Sequence, residues 1–370
     1  MSEPRRSGRS VVVAPDSFKG TVGAAEAAQA LADGWRSVRP DDTILLRPMA
    51  DGGEGTLAAF ADAVPGSRRM PVRVVCPDGS PVDASWLLLP DGSGVVELAS
   101  TSGIELLGGR RLPWDAHTRG FGEAIAAALD HGVRALVLGI GSSASTDGGV
   151  GMLRSLGAEF VDGVGHPIAD GARGLAAIRE VRLDGLRPLP PGGLTVLTDV
   201  RNPLLGPDGA ARVFGPQKGF TAPDLVTADA GVAVLAELLP ADPGAPGAGA
   251  AGGTGFALLA WGARLTPGAD AVAELIGLEA AIADADLVIT GEGSFDGQSA
   301  AGKAPARVAA LAASAGVPVS LVAGRIAPGV TTSTFRRTVA LATLAHGSGP
   351  ARADPARWLR KAARILATDS

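Results

Sequence analysis

The sequence predicts an α/β protein with a largely parallel sheet. Three observations predict it: short β-branched runs alternate with Ala-rich stretches of helical length, several runs end in glycine, and a helical stretch soon follows. With 370 residues, 46% of them hydrophobic, the chain can bury a sizeable core and has the length of about two domains.

Taken in order, SVVVA at 10–14 reads as a buried strand, with a helix expected over 22–35. TILLRPM at 43–49 is a second strand, and a helix begins near Glu54. The middle differs: VRVVCPDGSPVDASWLLLPDGSG at 72–94 reads as extended segments joined by Asp-Gly turns, which suggests a second domain inserted into the first. Strands follow at 134–140, 194–200, 286–290 and 317–323. Between them ADPGAPGAGAAGGTG at 241–255 reads as a low-complexity mobile loop or a boundary. The expected division is a discontinuous Rossmann-like domain over 10–72 and 265–370, an inserted α/β domain over 73–264, and a disordered tail at 1–9.

Composition removes several classes. Aromatic residues are 4%, Tyr is absent and the net charge is −5, a poor match for single-stranded or double-stranded nucleic acid. The single Cys76 rules out an internal disulfide and suits a reducing compartment. The basic start leads into no long apolar run, so neither a secretory leader nor a membrane span is expected, and the location expected is cytoplasmic.

Parallel sheets bind ligands at the carboxyl ends of their strands, and four segments with suitable side chains fall there. In APDSFKGT, Asp16 and Ser17 read either as helix caps or as ligand-binding groups, and Lys19 near a helix start favours a bound anion. In ADGGEGT, Gly52 and Gly53 would let backbone approach a ligand, while Asp51 and Glu54 supply anionic oxygen; a tight turn explains them equally. GIGSSASTDGGVGM gathers Ser142, Ser143, Ser145 and Thr146 beside Asp147, more hydroxyls than one helix cap needs. GEGSFDGQSAAGKAP contains G-x-x-x-x-G-K at 297–303, but Ala304 replaces the Mg²⁺-binding Ser or Thr, so it is no P-loop. Its Glu292 and Asp296 are hard oxygen donors suited to Mg²⁺, and Lys303 again lies at an expected helix start. A fifth segment places Asp199 at a strand end, Asn202 in a tight turn and Lys218 in a rigid loop at 214–219.

Other chemistries lack their parts. His117, His131, His166 and His346 have no metal-ligand spacing, and there is no G-x-S-x-G elbow. The pairs Gly139/Gly141 and Gly291/Gly293 lack the third glycine of a dinucleotide fingerprint, since Ala144 and Asp296 stand there.

In this order the motifs APDSFKG, ADGGEGT, GSSASTDGGVGM, DVRNPLLGPDGAARVFGPQKG and GEGSFDGQSAAGKAP resemble those of the bacterial type I glycerate kinase family, over 11–366. The resemblance implies ATP-dependent phosphorylation of D-glycerate, mainly at the 2-hydroxyl. It also implies two α/β domains, one built from both chain ends, with the active site in the interdomain cleft. Carried over by motif, the cleft residues are Asp16, Ser17, Lys19, Asp51, Gly52, Gly53, Glu54, Ser143, Asp147, Asp199, Asn202, Lys218, Glu292, Asp296 and Lys303. Ser142 and Ser145-Thr146 replace commoner Gly and Thr-Asn choices, and Ser294-Phe295 stands where Arg-Ile is frequent. The arginine lost there removes one phosphate or carboxylate contact.

On this basis Mg²⁺ is expected on some of Glu292, Asp296, Asp51 and Glu54, with Lys19, Lys218 and Lys303 balancing the charge of phosphate and glycerate. Asp16, Ser17, Gly52, Gly53, Ser143 and Asn202 would bind substrate or phosphate. Asp199 is the expected base, with Asp147 second. The alternatives are a kinase of another small hydroxy acid, a glycerate 3-kinase, or a non-catalytic sugar-acid sensor; a homodimer is left open.

Overall fold

The computed structural model describes residues 8–18, 20–297 and 304–368. Lys19, Lys303 with the rest of 298–303, and the expected tail up to residue 7 lie outside the described residues. In chain order the strands are β1 (Ser10–Pro15), β2 (Thr43–Leu46), β3 (Arg68–Val75), β4 (Pro81–Leu88), β5 (Gly94–Glu97), β6 (Leu136–Gly139) and β7 (Glu159–Val161). They continue with β8 (Glu180–Arg182), β9 (Leu194–Leu197), β10 (Arg264–Thr266), β11 (Leu287–Phe295), β12 (Val319–Ile326) and β13 (Arg337–Ala340).

Two compact units result. The first comprises the described residues up to Asp51, Ala58–Ala63 and those from Ala269 onward; the second comprises Gly52–Leu57 and Val64–Gly268.

The first unit holds a five-stranded parallel sheet in the order β13-β12-β11-β1-β2. Val11, Val12 and Val13 are fully buried, as a central parallel strand covered on both faces requires. From β1 the chain proceeds to β2 on one side, and from β11 it proceeds to β12 on the other. The reversal therefore falls between β1 and β11, where open parallel sheets take ligands. Helix Ala24–Arg36 shares a core cluster with helix Pro355–Thr368 through Leu31, Trp35, Leu359 and Ala363. Small residues allow a close approach: a Cβ at Gly34 would lie 2.3 Å from the Arg360 carbonyl oxygen.

β11 runs past the expected end at Thr290. Residues 291–295, expected as a glycine-led loop, are strand, pairing with β12 as far as Phe295 and Ile326. Gly291 serves that pairing, because a Cβ there would meet the Val322 carbonyl oxygen at 2.2 Å. β2, by contrast, ends at Leu46, although Arg47 and Met49 still donate to Val13 and Pro15.

The second unit has a six-stranded sheet in the order β10-β9-β6-β5-β4-β3. β5, β6, β9 and β10 are parallel, while β3, β4 and β5 pair antiparallel through the Asp-Gly turns seen in the sequence. Val96, Leu138, Val196, Phe121 and Phe256 form its core. Of the segment 241–255, expected as a mobile loop or boundary, the first part up to 246 is an irregular, partly exposed loop, while the part from 247 packs into this core. Ala248 and Ala250 are buried, and Ala251, Gly252 and Gly253 take left-handed backbone before the chain continues as helix to Ala260. Its glycines supply conformations and close approaches that bulkier residues cannot reach. Among the described residues no helix is long and apolar enough to cross a membrane.

Replacing Gly34 by Ala forces its Cβ against main chain rather than a flexible side-chain tip. The expected loss is about 2 kcal/mol of stability, read as a lower urea midpoint at unchanged m-value. An unshifted midpoint would show that the two helices part without cost.

Candidate active site

The switch point of the first unit opens into a cavity of about 480 Å³. Asp16 and Ser17, just past β1, line it together with Asp51 past β2, and with Glu292, Ser294 and Asp296 along β11. The two central strand ends are stitched together, since the Asp16 N–H donates to the Gly291 carbonyl at 2.7 Å. The Ser17 N–H donates to the Asp16 carboxylate at 2.6 Å, while the buried Ser17 hydroxyl has no hydrogen-bond partner among the described residues. Arg325 and Arg352 bring positive charge, and Phe18, Leu341, Ala351 and Pro355 form an apolar wall. Of the sequence-derived residues, this cavity brings together Asp16, Ser17, Asp51, Glu292 and Asp296.

Sequence reasoning missed both arginines. Arg325 lies two residues past the expected end of its strand, at the register position paired with Ser294, whose hydroxyl accepts its Nε at 3.2 Å. Cationic side chains therefore reach this cavity from β12 and from helix Ser348–Ala353, where the family pattern places an arginine on β11.

The carboxylates fit a divalent cation in chemistry but do not form a finished cage. Among the described residues no group of three or more His, Cys, Asp or Glu side chains gathers closely enough to hold a metal. Asp16 lies just past β1, Asp51 in the chain that follows β2, and Glu292 on β11. Two carboxylates completed by phosphate oxygens and water suit Mg²⁺. Glu54, expected among the ligands, does not line the cavity; it is exposed and faces Glu97.

In the second unit the loop after β6 carries the hydroxyl cluster. Lys218, expected in a loop, occupies the last turn of helix Ala210–Lys218, which ends at the left-handed Gly219. Gly215 and Pro216, within the stretch expected as a rigid loop, are accommodated in this final turn. The Lys218 side chain is only 2% exposed, and its Nζ donates to Ser143 Oγ at 2.9 Å and to the Ser145 carbonyl. Burial pulls its amine down to about 7, with Asp147 opposing the shift. The buried Ser145 and Thr146 hydroxyls have no hydrogen-bond partner among the described residues.

Asp147 is fully buried and heavily engaged. Its carboxylate accepts the Thr118 N–H and hydroxyl and the backbone N–H groups of Gly149 and Gly151, at 2.8–3.2 Å. This geometry fastens the loop to the start of helix Arg119–Asp130. Asp199 receives the Gly268 N–H at 2.8 Å on Oδ1, holding the first turn of helix Gly268–Leu275. Asn202 donates its amide to the Asp208 carbonyl and closes a turn.

The glycines of ADGGEGT approach protein backbone. A Cβ at Gly52, whose φ is +93°, would lie 2.3 Å from the Leu197 carbonyl oxygen, and one at Gly141 would lie 2.5 Å from the Gly53 Cα. They fit the loop against the ends of β9 and β6. Glu97, another residue the sequence reading passed over, sits at the end of β5 and accepts the Leu57 N–H at 2.9 Å. It thereby caps helix Thr56–Ala63 from a neighbouring strand. Its signal was faint: one carboxylate inside the apolar run GVVELAS.

One parallel and one mixed sheet, with carboxylates and arginines around the cavity at the strand ends of the first, define an α/β protein. The model of the glycerate kinase family matches residues 11–369. The chain is 42% identical over 325 residues to a glycerate kinase of Bacillus subtilis (strain 168), covering 85% of each chain. It is 41% identical over 328 residues to a glycerate 2-kinase of Escherichia coli (strain K12), again with 85% of each covered. A crystal structure from Salmonella typhimurium LT2 assigned to glycerate kinase 2 superposes with a TM-score of 0.77 at 37% identity, covering 98% of both chains. The chain belongs to the glycerate kinase family, and it is an enzyme.

Glu97 yields a pH-dependent prediction. Burial pushes its carboxyl from 4.5 up to about 7, with the Leu57 and Gly55 N–H groups opposing and Glu54 adding to the rise. Folded protein then retains a proton that the unfolded chain releases. The stabilising contribution is complete below pH 4.5 and is lost as pH rises through 7. The stability difference between wild type and Glu97→Gln should therefore shrink or reverse between pH 5 and pH 8, by up to about 3 kcal/mol, in urea unfolding at each pH. A constant difference would remove Glu97 as the titrating group.

Proposed function

We propose that this protein transfers the γ-phosphoryl group of ATP to the 2-hydroxyl of D-glycerate, giving ADP and 2-phosphoglycerate, with Mg²⁺ accompanying the nucleotide. The single observation that carries this reading is the cavity at the β1/β11 switch point, with hard oxygen donors, two arginines and an apolar wall around one space. The relatives named glycerate kinase supply the acceptor, and the E. coli relative named glycerate 2-kinase supports the 2-hydroxyl.

Phosphoryl transfer asks a protein for positioning and charge neutralisation more than for covalent chemistry. Phe18, Leu341, Ala351 and Pro355 suit the face of an adenine ring. Arg325, Arg352 and the Ser17 hydroxyl suit phosphate oxygens. Glu292 with Asp16, Asp51 or Asp296 would hold Mg²⁺, which when bound would neutralise phosphate charge and orient the terminal group. Lys19 and Lys303, which follow β1 and β11 in sequence, would add further positive charge. Ser143 and Lys218 would bind oxygens of substrate or phosphate. Asp147 and Asp199 would act by holding the loop and helix start they bind.

The cytoplasm is the compartment this reading assumes. Sedimentation decides between a monomer and the homodimer left open by the sequence.

The test is a coupled assay for ADP release with Mg-ATP and D-glycerate, with the product identified by ³¹P NMR and other hydroxy acids run in parallel. Turnover only with a different acid would reassign the substrate. Glu292→Gln should lower kcat by about 100-fold. Arg325→Ala should raise KM for ATP by about 10-fold and leave KM for glycerate unchanged. The reverse pattern for Arg325 would move glycerate, rather than ATP, into this cavity.

A further inference from the structure

We propose that the first unit holds a second small-molecule site, a cavity of about 250 Å³ beside Arg47 that takes a small aliphatic monocarboxylate. It shares no lining residue with the cavity at the β1/β11 switch point and does not depend on the phosphoryl-transfer reading.

β2 is the edge strand of the five-stranded sheet, and past its end the chain stays in register with β1. The Arg47 N–H donates to the Val13 carbonyl at 2.9 Å and the Met49 N–H to the Pro15 carbonyl at 2.8 Å. With its backbone fixed in this way, Arg47 turns its guanidinium onto its own strand, where Nη1 donates to the Leu46 carbonyl at 2.8 Å. Nε, by contrast, is shut off from solvent and has no hydrogen-bond partner among the described residues. A guanidinium carries its donors in a planar fork. With Nη1 engaged, the edge formed by Nε and Nη2 is left for an acceptor. A buried donor without one is unfavourable, and a carboxylate meets Nε and Nη2 together.

The walls explain why space is left beside this edge. Ala25 and Ala28, three apart on helix Ala24–Arg36, line one side, and Ala59 and Ala63, four apart on helix Thr56–Ala63, line another. Those spacings put each pair on one helix face, and methyl groups there leave a gap that longer side chains would close. Leu46, Pro48 and Ile276 complete an apolar lining suited to an aliphatic body. At roughly 30 Å³ for each water-sized group, the volume corresponds to about eight non-hydrogen atoms, the size of 4-methylpentanoate.

Asp62 is the other charged residue of the lining, and it is exposed. Neither it nor Arg47 forms an ion pair among the described residues. Its negative charge works against phosphates and other polyanions, so the occupant carries a single negative charge. An amine next to the carboxylate would be met by Asp62, whereas an oxo group would not. The shared chemistry is a carboxylate on a branched aliphatic body, supplied either by an amino acid or by the corresponding 2-oxo acid. The switch-point cavity differs in kind, being about 480 Å³ in volume and lined by several carboxylates with Arg325 and Arg352.

The experiment is a ligand-observed NMR titration of the full-length protein with 4-methylpentanoate, leucine and 4-methyl-2-oxopentanoate. At least one should bind wild type with a Kd of about 1 mM or tighter. The uncharged 4-methylpentanamide and the bodiless acetate should each bind at least about 10-fold more weakly, and excess inorganic phosphate should displace nothing. Arg47→Met, which keeps the apolar stem and loses the fork, should weaken binding at least about 10-fold, and Arg47→Lys should not restore it. Ala63→Leu, which fills the cavity and leaves Arg47 in place, should abolish binding. Arg325→Ala, which alters only the other cavity, should leave the affinity unchanged. A preference for leucine over the oxo acid that vanishes in Asp62→Asn gives the amino acid as the ligand; the opposite preference gives the oxo acid. Should Arg47→Met fail to fold, Ala63→Leu decides. The site is overturned by an absence of binding in wild type, by unchanged affinity in Ala63→Leu, by displacement with phosphate, or by loss of binding in Arg325→Ala. Turnover with ATP and glycerate enters none of these readings, so either proposal can fail while the other stands.

Discussion

The parallel pairing of β1 with β11 is the constraint on which the first unit depends. It joins residues 276 positions apart, as the Thr290 hydroxyl donating to the Ala14 carbonyl at 2.8 Å illustrates. Without that pairing β1 and β2 would form a two-stranded fragment, and β11 to β13 another. With it the sheet acquires a reversal of direction, and the carboxyl ends of its central strands come together. Asp16 and Glu292 meet in one cavity because the backbone N–H of Asp16 continues the ladder into Gly291. The chemistry of the site is thus a by-product of sheet order.

The second unit solves a different problem, placing polar groups where water cannot reach. Asp147 is surrounded by donors, Glu97 caps backbone N–H groups, and Lys218 is held by neutral acceptors. Each arrangement needs main chain to come closer than a side chain permits, and glycines at 52, 141, 149 and 252 make this possible. Part of the glycine content, 53 of 370 residues, brings strand ends and loops into contact in this way. The consequence for function is rigidity, since groups fixed by packed backbone keep their geometry when substrate arrives.

What could be read from the sequence follows from how local each signal is. β1, β6 and β9 announce themselves as apolar runs, and the Asp-Gly turns mark the antiparallel strands. The carboxylates of the first unit were legible because strand ends with Asp or Glu fall on the ligand edge of any parallel sheet. β11 was read short because Gly291 and Gly293 imitate a turn, although their smallness serves close pairing with β12. The 247–255 part of the glycine-rich segment was misjudged for the same reason: low complexity describes composition, whereas burial depends on what the backbone meets. Arg325, Arg352 and Glu97 stayed hidden because their meaning comes from neighbours on other strands. Lys218 was noticed, but its isolation from counter-ions is a tertiary fact that no spacing carries.

The division of the chain also sets an order on its making. The second unit is complete once residue 268 has been synthesised, and its parallel strands can pair while the remainder is still being added. β1 must wait, because the strand that covers its flank begins at Leu287. During that interval the apolar segment Val11 to Val13 has an open edge, the condition in which nascent strands associate with wrong partners. An enzyme built this way depends on the cell's ability to shield a short stretch of newly made polypeptide until its distant mate emerges.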